Sequence, residues 1–487
     1  MSNSISWRAV NLSFKVRLYP TQEQKIFLDK TFGCSRFVYN YYLNEKNQFY
    51  ENHIKPIREE FGYFELLKKF EELKEKKEKS KEEKKEQKDL KILLEKIKNI
   101  SNQEYKNFKK SSPADLKKIY GWLKDSNSQA LCAAQMNVDT AFKNFYEGRA
   151  EFPKFHKKKN KQSFKDCMMK QNFFDWNSKT VDLPKIGKIK FRNRNLPNWF
   201  KNRTKVCSYT CSKTPNGNYY ISILFEAKLS FTEKTKPEKI DESQIIGLDF
   251  DCEDMYIDSN GKSAKLDFGF VKQKQSNSKK LSHLQRQFVR TVKGSKNREQ
   301  LRIKIASLEA HIANARLDWI EKESLRLTKT YKLIGLEDLN ISAMKKGSRN
   351  AKNYQDIAWS TFVSKLQWKS EKNGCRVIKI NRFFPSSQTC NCCGYKNKEV
   401  QIKHLERWVC PECGKEHQRD ENAAKNIVAE SYKVLKEAEE NQEKSLSQTN
   451  LSKDTDSQSP IEMLANLALN ECSTIGNAGN NLTTVTT

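Results

Sequence analysis

The sequence predicts two kinds of structure in one chain. An antiparallel β-unit with inserted helices comes first, and an α/β domain interrupted near its end by a small cysteine module follows. Three observations carry this. Residues 11–19 and 165–235 alternate apolar and polar side chains, as half-buried strands do. From Ile245 onward the order is strand, hairpin, helix, strand, helix, strand, which is α/β order. Two CxxCG units then precede a final helical pattern.

The totals bound the answer. At 487 residues the chain has room for roughly two to four domains. Hydrophobic residues make up 37% and charged residues 31%, and no apolar run approaches the length of a membrane span. The opening MSNSISWRAVNLSFKVRLYP lacks the layout of a secretory signal, so a cytoplasmic protein without a membrane partner is expected. Net charge is +30, and residues 442–487 are acidic, so the rest carries +33. Such an excess opposes compaction unless a polyanion neutralises it, which makes nucleic acid the expected partner. A merely soluble basic protein, or one touching anionic membranes, is the alternative. Interleaved aromatics, 11% of the chain, favour nucleic acid because bases stack on them.

The elements follow in order. NLSFKVRLY reads as a strand stopped by Pro20, and Thr21–Gln24 is a capping-box signature opening a helix to about Lys55. Phe27, Leu28, Phe32, Phe37, Val38, Tyr41 and Tyr42 are its candidate core. The Lys/Glu run 70–99 reads as a solvated helix or a disordered insert. A helix over Gln129–Tyr146, a non-helical Lys-rich stretch and the β-unit follow, and the last is expected to pair with the N-terminal strand. Leu281–Arg290 and Leu301–Thr330 have helical spacing and predict a hairpin around Gly294-Ser295. Beyond about Glu440 the Ser/Asn/Thr-rich tail reads as disordered or peripheral.

Two strands share a pattern. Ile246-Gly247-Leu248-Asp249 is matched by Ile334-Gly335-Leu336-Glu337, and alternation puts glycine and acid on one face of each. The glycines are expected to leave room for a ligand. Two neighbouring carboxylates repel, and divalent cations remove the penalty, so paired Mg²⁺ ions and phosphodiester hydrolysis are the chemistry this pattern suits. Solvated strand-end carboxylates are the bland alternative, with Asp251, Glu253, Asp254 and Asp338 as rival acids, although Asp338 should face away from Glu337. Asp420 is the third candidate, and a plain helix N-cap is its competing role.

The cysteines are more specific. Cys410-Pro-Glu-Cys413-Gly414 is a zinc-knuckle sequence, and only Cys390, Cys393 and Gly394 reproduce it upstream, with 16 residues between Cys393 and Cys410, leaving Cys392 spare. A structural Zn²⁺ site is expected. A redox pair, or His404 or His417 in place of a thiolate, stays open.

Together, YPTQEQ, FGCSRFVYN, SQALCAAQMNVDTAFKNFYEGRAEFPKF, IIGLDFD, GLEDLNI, NRFFPSSQTCNCCG and WVCPECGKEHQRDENAAKNI resemble the TnpB family of transposon-encoded nucleases and the related compact type V CRISPR effectors, from about residue 11 to 430. The resemblance implies a RuvC-like nuclease with an RNase H fold over 244–385 and 416–440, and a zinc ribbon over 386–415. It also implies a wedge β-barrel over 1–19 and 150–240 and a helical recognition region over 20–149. It implies Asp249, Glu337 and Asp420 as the catalytic, Mg²⁺-holding acids, a guide RNA, and a double-stranded DNA target read beside a short motif and cut in one site. A homodimer stays open. Arg36, Lys143, Arg149, Lys154, Arg382 and Arg419 are candidate nucleic-acid contacts, although each could be a solvated basic residue. The acidic GLDFDCED, the Lys/Glu insert and the tail depart from the family pattern. A nuclease-dead repressor and a guide-free transposase or junction nuclease are the competing functions.

Overall fold

The structure, a computed structural model, describes residues 5–450 except 77–78, 106–107, 160, 168–172, 193–199, 201–202, 265–267, 347–350, 352–353, 355–356 and 404, and leaves the side chains of 268–275 and 442–450 undescribed. The chain divides into two compact units, residues 1–233 with 267–319, and residues 234–266 with 320–487.

The first unit is built on seven antiparallel strands: β1 (Ile5–Tyr19), β2 (Gln162–Asp166), β3 (Phe174–Asp175), β4 (Thr180–Leu183), β5 (Gly187–Arg192), β6 (Arg203–Lys213) and β7 (Tyr219–Thr232). Their order is β2-β6-β7-β1-β5-β4-β3, and β1 pairs with β7 along almost its whole length. The expected pairing of the N-terminal strand is therefore present. In β7 every second residue from Tyr219 to Phe231 is buried, so one face makes the core. The sheet rolls, because Phe173 beside β3 stacks on Tyr209 of β6, their ring centres 6.0 Å apart. Both ends of the sheet thus share one apolar cluster, although among the described residues the hydrogen bonding leaves β2 and β3 as edges.

Helices fill the connection after β1. In α1 (Gln22–Phe49) the capping box is formed: the Gln24 amide donates to Thr21 Oγ1 and the Thr21 amide to Gln24 Oε1. Leu28 and Phe32 enter the sheet core. Val38 and Tyr42 pack with Leu131 and Val138 of a second helix, Ser128–Tyr146, while Phe37 and Tyr41 are only partly buried. The charge run is not one solvated helix. It forms parts of two helices, Tyr63–Glu75 and Lys81–Glu104, the second opened by a Ser80 capping box and burying Leu94 and Ile97. The two predicted helices are present as Phe268–Arg290 and Lys296–Thr330, and Arg298 donates to the Phe288 and Thr291 carbonyls across the turn between them. That turn groups with the first unit rather than with the α/β sheet, since Arg302 donates to the Pro215 carbonyl in the β6–β7 turn.

The second unit is the α/β sheet: β8 (Ile245–Asp251), β9 (Met255–Asp258), β10 (Leu333–Glu337) and β11 (Arg376–Ile380), in the order β11-β10-β8-β9. β8, β10 and β11 are parallel, and β9 is antiparallel to β8. Helices cover both faces. The helix Trp359–Asn373 lies on the Ile246/Leu248/Phe250 face, with Trp359 against Phe250 and Phe362 against Tyr256. The terminal helix, Arg419–Asn450, covers the other face, where Tyr432 and Leu435 pack with Ile245 and Leu333. It extends ten residues past the expected boundary, and the rest of the expected tail, 451–487, lies outside the described residues. Between β11 and this helix stands a small module with β12 (Arg407–Val409) paired antiparallel to β13 (Glu416–Gln418).

Candidate functional site

The glycines of the two matched strands explain how the acids are arranged. Gly247 and Gly335 are direct partners in the β8–β10 register. A Cβ on Gly247 would sit 2.1 Å from the Ala424 carbonyl oxygen, and one on Gly335 2.2 Å from Ser431 Oγ. The expectation that the glycines make space for a ligand is therefore corrected. They make space for the terminal helix, which approaches so closely that no side chain fits beneath it. The consequence still concerns the acids. Two residues past the glycines, Asp249 and Glu337 emerge at the C-terminal ends of adjacent parallel strands. One helical turn before Ala424, Asp420 stands in the first turn of the helix that covers them.

All three carboxylates are half-buried. Burial pushes the Asp249 carboxyl well above the usual carboxylate range, and the charges of Glu337 and Asp420 push it further, with Arg419 opposing. Burial also raises Glu337, against a hydrogen bond from Ser386, whose Oγ donates to Glu337 Oε1 across 2.6 Å. Arg419 Nε donates to Asp420 Oδ1 at 2.8 Å, so Asp420 is paired as well as placed at a helix start. Three of the four rival acids have other partners. Asp251 accepts from the amides of Glu253 and Asp254, Asp254 accepts from Ser263, and Asp338 pairs with Arg382 at 2.7 Å.

The cysteines converge tightly. Among the described residues, Cys390, Cys393, Cys410 and Cys413 are the one group of potential metal ligands whose donor atoms all lie within 4.8 Å of one another. The Sγ–Sγ separations Cys390–Cys413 and Cys393–Cys410 are 3.7 and 3.6 Å. A tetrahedron with Zn–S bonds of about 2.3 Å has edges of about 3.8 Å, so the quartet fits such an ion. Cys392 is exposed and outside it. His417 is outside it too, its Nε2 3.0 Å from Cys390 Sγ, and His404 lies outside the described residues.

Sequence reasoning missed how the module is tied to the acids. Asn426 Nδ2 donates to the carbonyls of Ser386 (2.8 Å) and Thr389 (2.6 Å). Asn422 donates to the Thr389 carbonyl and accepts from the Asn391 amide. Both asparagines are buried on the terminal helix. Polar residues four apart on an otherwise apolar helix face were the available signal. The segment entering the cysteine module is thus held by the helix that presents Asp420, and through Ser386 it touches Glu337.

The basic candidates do not gather. Arg382 and Arg419 have the acidic partners described, Arg149 pairs with Glu147, Lys154 with Glu151 at 2.5 Å, and Lys143 is exposed. Arg36 donates to Gln162 Oε1 and lines a small pocket with Lys157, Lys161 and Lys165, beside a Tyr39–His156 ring stack at 4.0 Å. The lysine run FHKKKNKQSFK was the signal for that cluster.

Three family models match the chain: "Helix-turn-helix domain" over residues 10–55, "Probable transposase" over 228–348, and "Cas12f1-like, TNB domain" over 359–427. Despite its description, the first covers the end of β1 and one long helical run. A "Putative RNA-guided DNA endonuclease" of Streptomyces pristinaespiralis is 27% identical over 86% of this chain and 89% of its own length. A second protein of that description, InsQ of Escherichia coli K12, is 31% identical over 64% of this chain and 77% of its own. A Cas12f1–sgRNA–target DNA complex, solved by cryo-EM, matches 86% of this chain and 99% of its own protein chain at 12% identity, with a TM-score of 0.39. Since InsQ is 31% identical and covered over 77% of its length, and the family models match along the chain, the chain belongs to the TnpB family.

Proposed function

We propose that the protein is an RNA-guided DNA endonuclease. It binds a structured guide RNA, recognises a short motif beside a double-stranded DNA target, and hydrolyses target phosphodiesters in one RuvC-like site formed by Asp249, Glu337 and Asp420. The observation that carries this reading is the union of those three acids by one helix lying on two glycines, in a chain whose relatives carry that activity in their names. A pair of half-buried acids whose protons are held too tightly is a site that gains from divalent cations. Mg²⁺ held there supplies charge neutralisation and an activated water. The protein's own part is positional: β8 and β10 fix two carboxylates in register, the terminal helix adds the third, and Ser386 orients Glu337.

The cysteine quartet is assigned to a structural Zn²⁺ in a ribbon over 386–415, apart from the chemistry. The rolled sheet serves as the wedge, and the helices inserted after β1 as the recognition region. Pairing between guide and target carries sequence specificity, while the basic surface reads backbone and shape. The test is Mg²⁺-dependent cleavage by protein expressed with its flanking locus. Asp249→Ala, Glu337→Ala and Asp420→Ala should each abolish cutting and retain guide and target binding. Cutting by any of the three at the wild-type rate, or purification of active protein free of RNA, overturns the reading.

A further inference from the structure

The segment between β11 and the cysteine module presents an aromatic ring to solvent beside the acids. Phe383 is 86% exposed, the most exposed of the large apolar side chains described. Its exposure is built in. Asn381 Oδ1 accepts from the Phe383 amide at 2.9 Å, and the Phe384 amide donates to the Asn381 carbonyl at 3.0 Å, so a tight turn puts Phe383 at its apex. Phe384, the next residue, is half-buried.

Phe383 and Arg382 stand on the ridge between two grooves, each of about 570 Å³. One groove has Glu337 and Ser386 in its wall and Lys396, Lys398 and the 75% exposed Ile402 on its far side. The other is lined by Asp338, Lys379 and Asn381. Cations therefore flank an exposed ring on both sides, Lys379 and Arg382 sharing the one Asp338 carboxylate at 3.5 and 2.7 Å, and a candidate catalytic acid lines the other groove. Bases with π-faces, linked by phosphates, fit that alternation of ring and charge, and an unpaired strand is the form that leaves such faces free to stack.

We infer that the Phe383 ridge is a stacking platform for single-stranded DNA, which crosses from the Lys379 groove to the Glu337 groove as it enters the cutting site. One base stacks on Phe383. Lys396 and Lys398 of the cysteine module take phosphates on the Glu337 side, and Lys379 and Arg382 take them on the other. This inference rests on the nuclease reading above, because it is the presence of Glu337 in the groove that names DNA as the occupant.

The experiment uses the full chain loaded with guide RNA and compares Phe383→Ala, Phe383→Trp, the Lys396→Ala/Lys398→Ala pair and Glu337→Ala. Zinc content, guide binding, target binding and single-turnover cleavage are measured for each. Phe383→Ala should keep zinc, guide and target binding within twofold of wild type and cut about tenfold more slowly, the loss of one base stack. Phe383→Trp should restore cutting. The lysine pair should slow cutting most at low salt, the gap to wild type narrowing as salt rises, because the variant neutralises fewer phosphates and its salt dependence is shallower. Phe383→Ala cutting at the wild-type rate, or losing guide binding in proportion to cutting, overturns the inference, the second result assigning the ridge to RNA. Glu337→Ala separates the two layers. If it still cuts, the nuclease assignment has failed; if it is dead while Phe383→Ala is unaffected, only the platform has.

Discussion

Ser386 donates its hydroxyl to Glu337 across 2.6 Å while its own carbonyl is held by Asn426 of the terminal helix. One residue thus joins the middle strand of the sheet, the entrance of the cysteine module and the helix bearing Asp420. Groups that orient metal-holding carboxylates are worth about 10- to 100-fold in metal affinity or activity. Ser386→Ala is expected to raise the Mg²⁺ concentration for half-maximal cleavage by about that factor, and Ser386→Thr to stay near wild type. A Mg²⁺ titration of cleavage rate checks this, and equal half-maximal concentrations would count against the orienting role.

Asn426→Ala should act on stability before it acts on chemistry. It strips the partner from the Ser386 carbonyl beneath the helix, which costs about 1–3 kcal/mol when left unsatisfied in a buried position, while the Thr389 carbonyl keeps Asn422. Thermal melts should show a clear loss, larger than that of Asn391→Ala, whose contact with Asn422 uses only its backbone amide.

Neutralising Asp249 should stabilise the protein that it inactivates. Its carboxyl is raised by burial and by Glu337 and Asp420. A folded-state value above the unfolded one, about 3.9, means stability that is complete at low pH and lost as pH rises through the raised value. Without Mg²⁺, Asp249→Asn should therefore melt a few degrees above wild type at pH 8, the gap closing towards pH 4. Added Mg²⁺ should raise the wild-type melting temperature more than the variant's. A variant melting below wild type at pH 8 would contradict the account.

The two glycines should fail differently. Gly247→Ala drives a Cβ into the Ala424 backbone carbonyl, which cannot move aside, and should cost about 3 kcal/mol or more. Gly335→Ala meets the Ser431 side chain instead, so Ser431→Gly should recover part of the loss in the double variant. Additive losses at that pair would show that Ser431 is not the obstacle.

Among the cysteines, Cys410→Ser should lose about one zinc per chain and Cys392→Ser none, as read by metal analysis. His417→Ala should bind zinc more weakly without abolishing it, because its ring nitrogen sits 3.0 Å from Cys390 Sγ and leaves that thiolate without a hydrogen-bond partner when removed.

What the sequence disclosed, and what it did not, follows from the range of each interaction. The acids on β8 and β10 were legible because each strand repeats Ile-Gly-Leu-acid within four residues, and the quartet because CxxCG is local. The purpose of Gly247 and Gly335 was not, since their neighbours Ala424 and Ser431 come more than ninety residues later and carry no mark of the contact. The Lys/Glu run misled because its charges dominate its composition, while Leu94 and Ile97 supply the burial. Ser386, Asn422 and Asn426 bond through or to main-chain carbonyls, which every sequence possesses equally.

The close seat of the terminal helix on Gly247 and Gly335 also sets an order in time. Asp420 is made about 170 residues after Asp249, or roughly 10–35 seconds later at ordinary synthesis rates. Until that helix leaves the ribosome and docks, β8 and β10 have a bare glycine face and the acid pair lacks its third member. On the nuclease reading proposed above, a nascent chain that stops short of Asp420 cannot yet cut, and the site is completed only when the terminal helix docks.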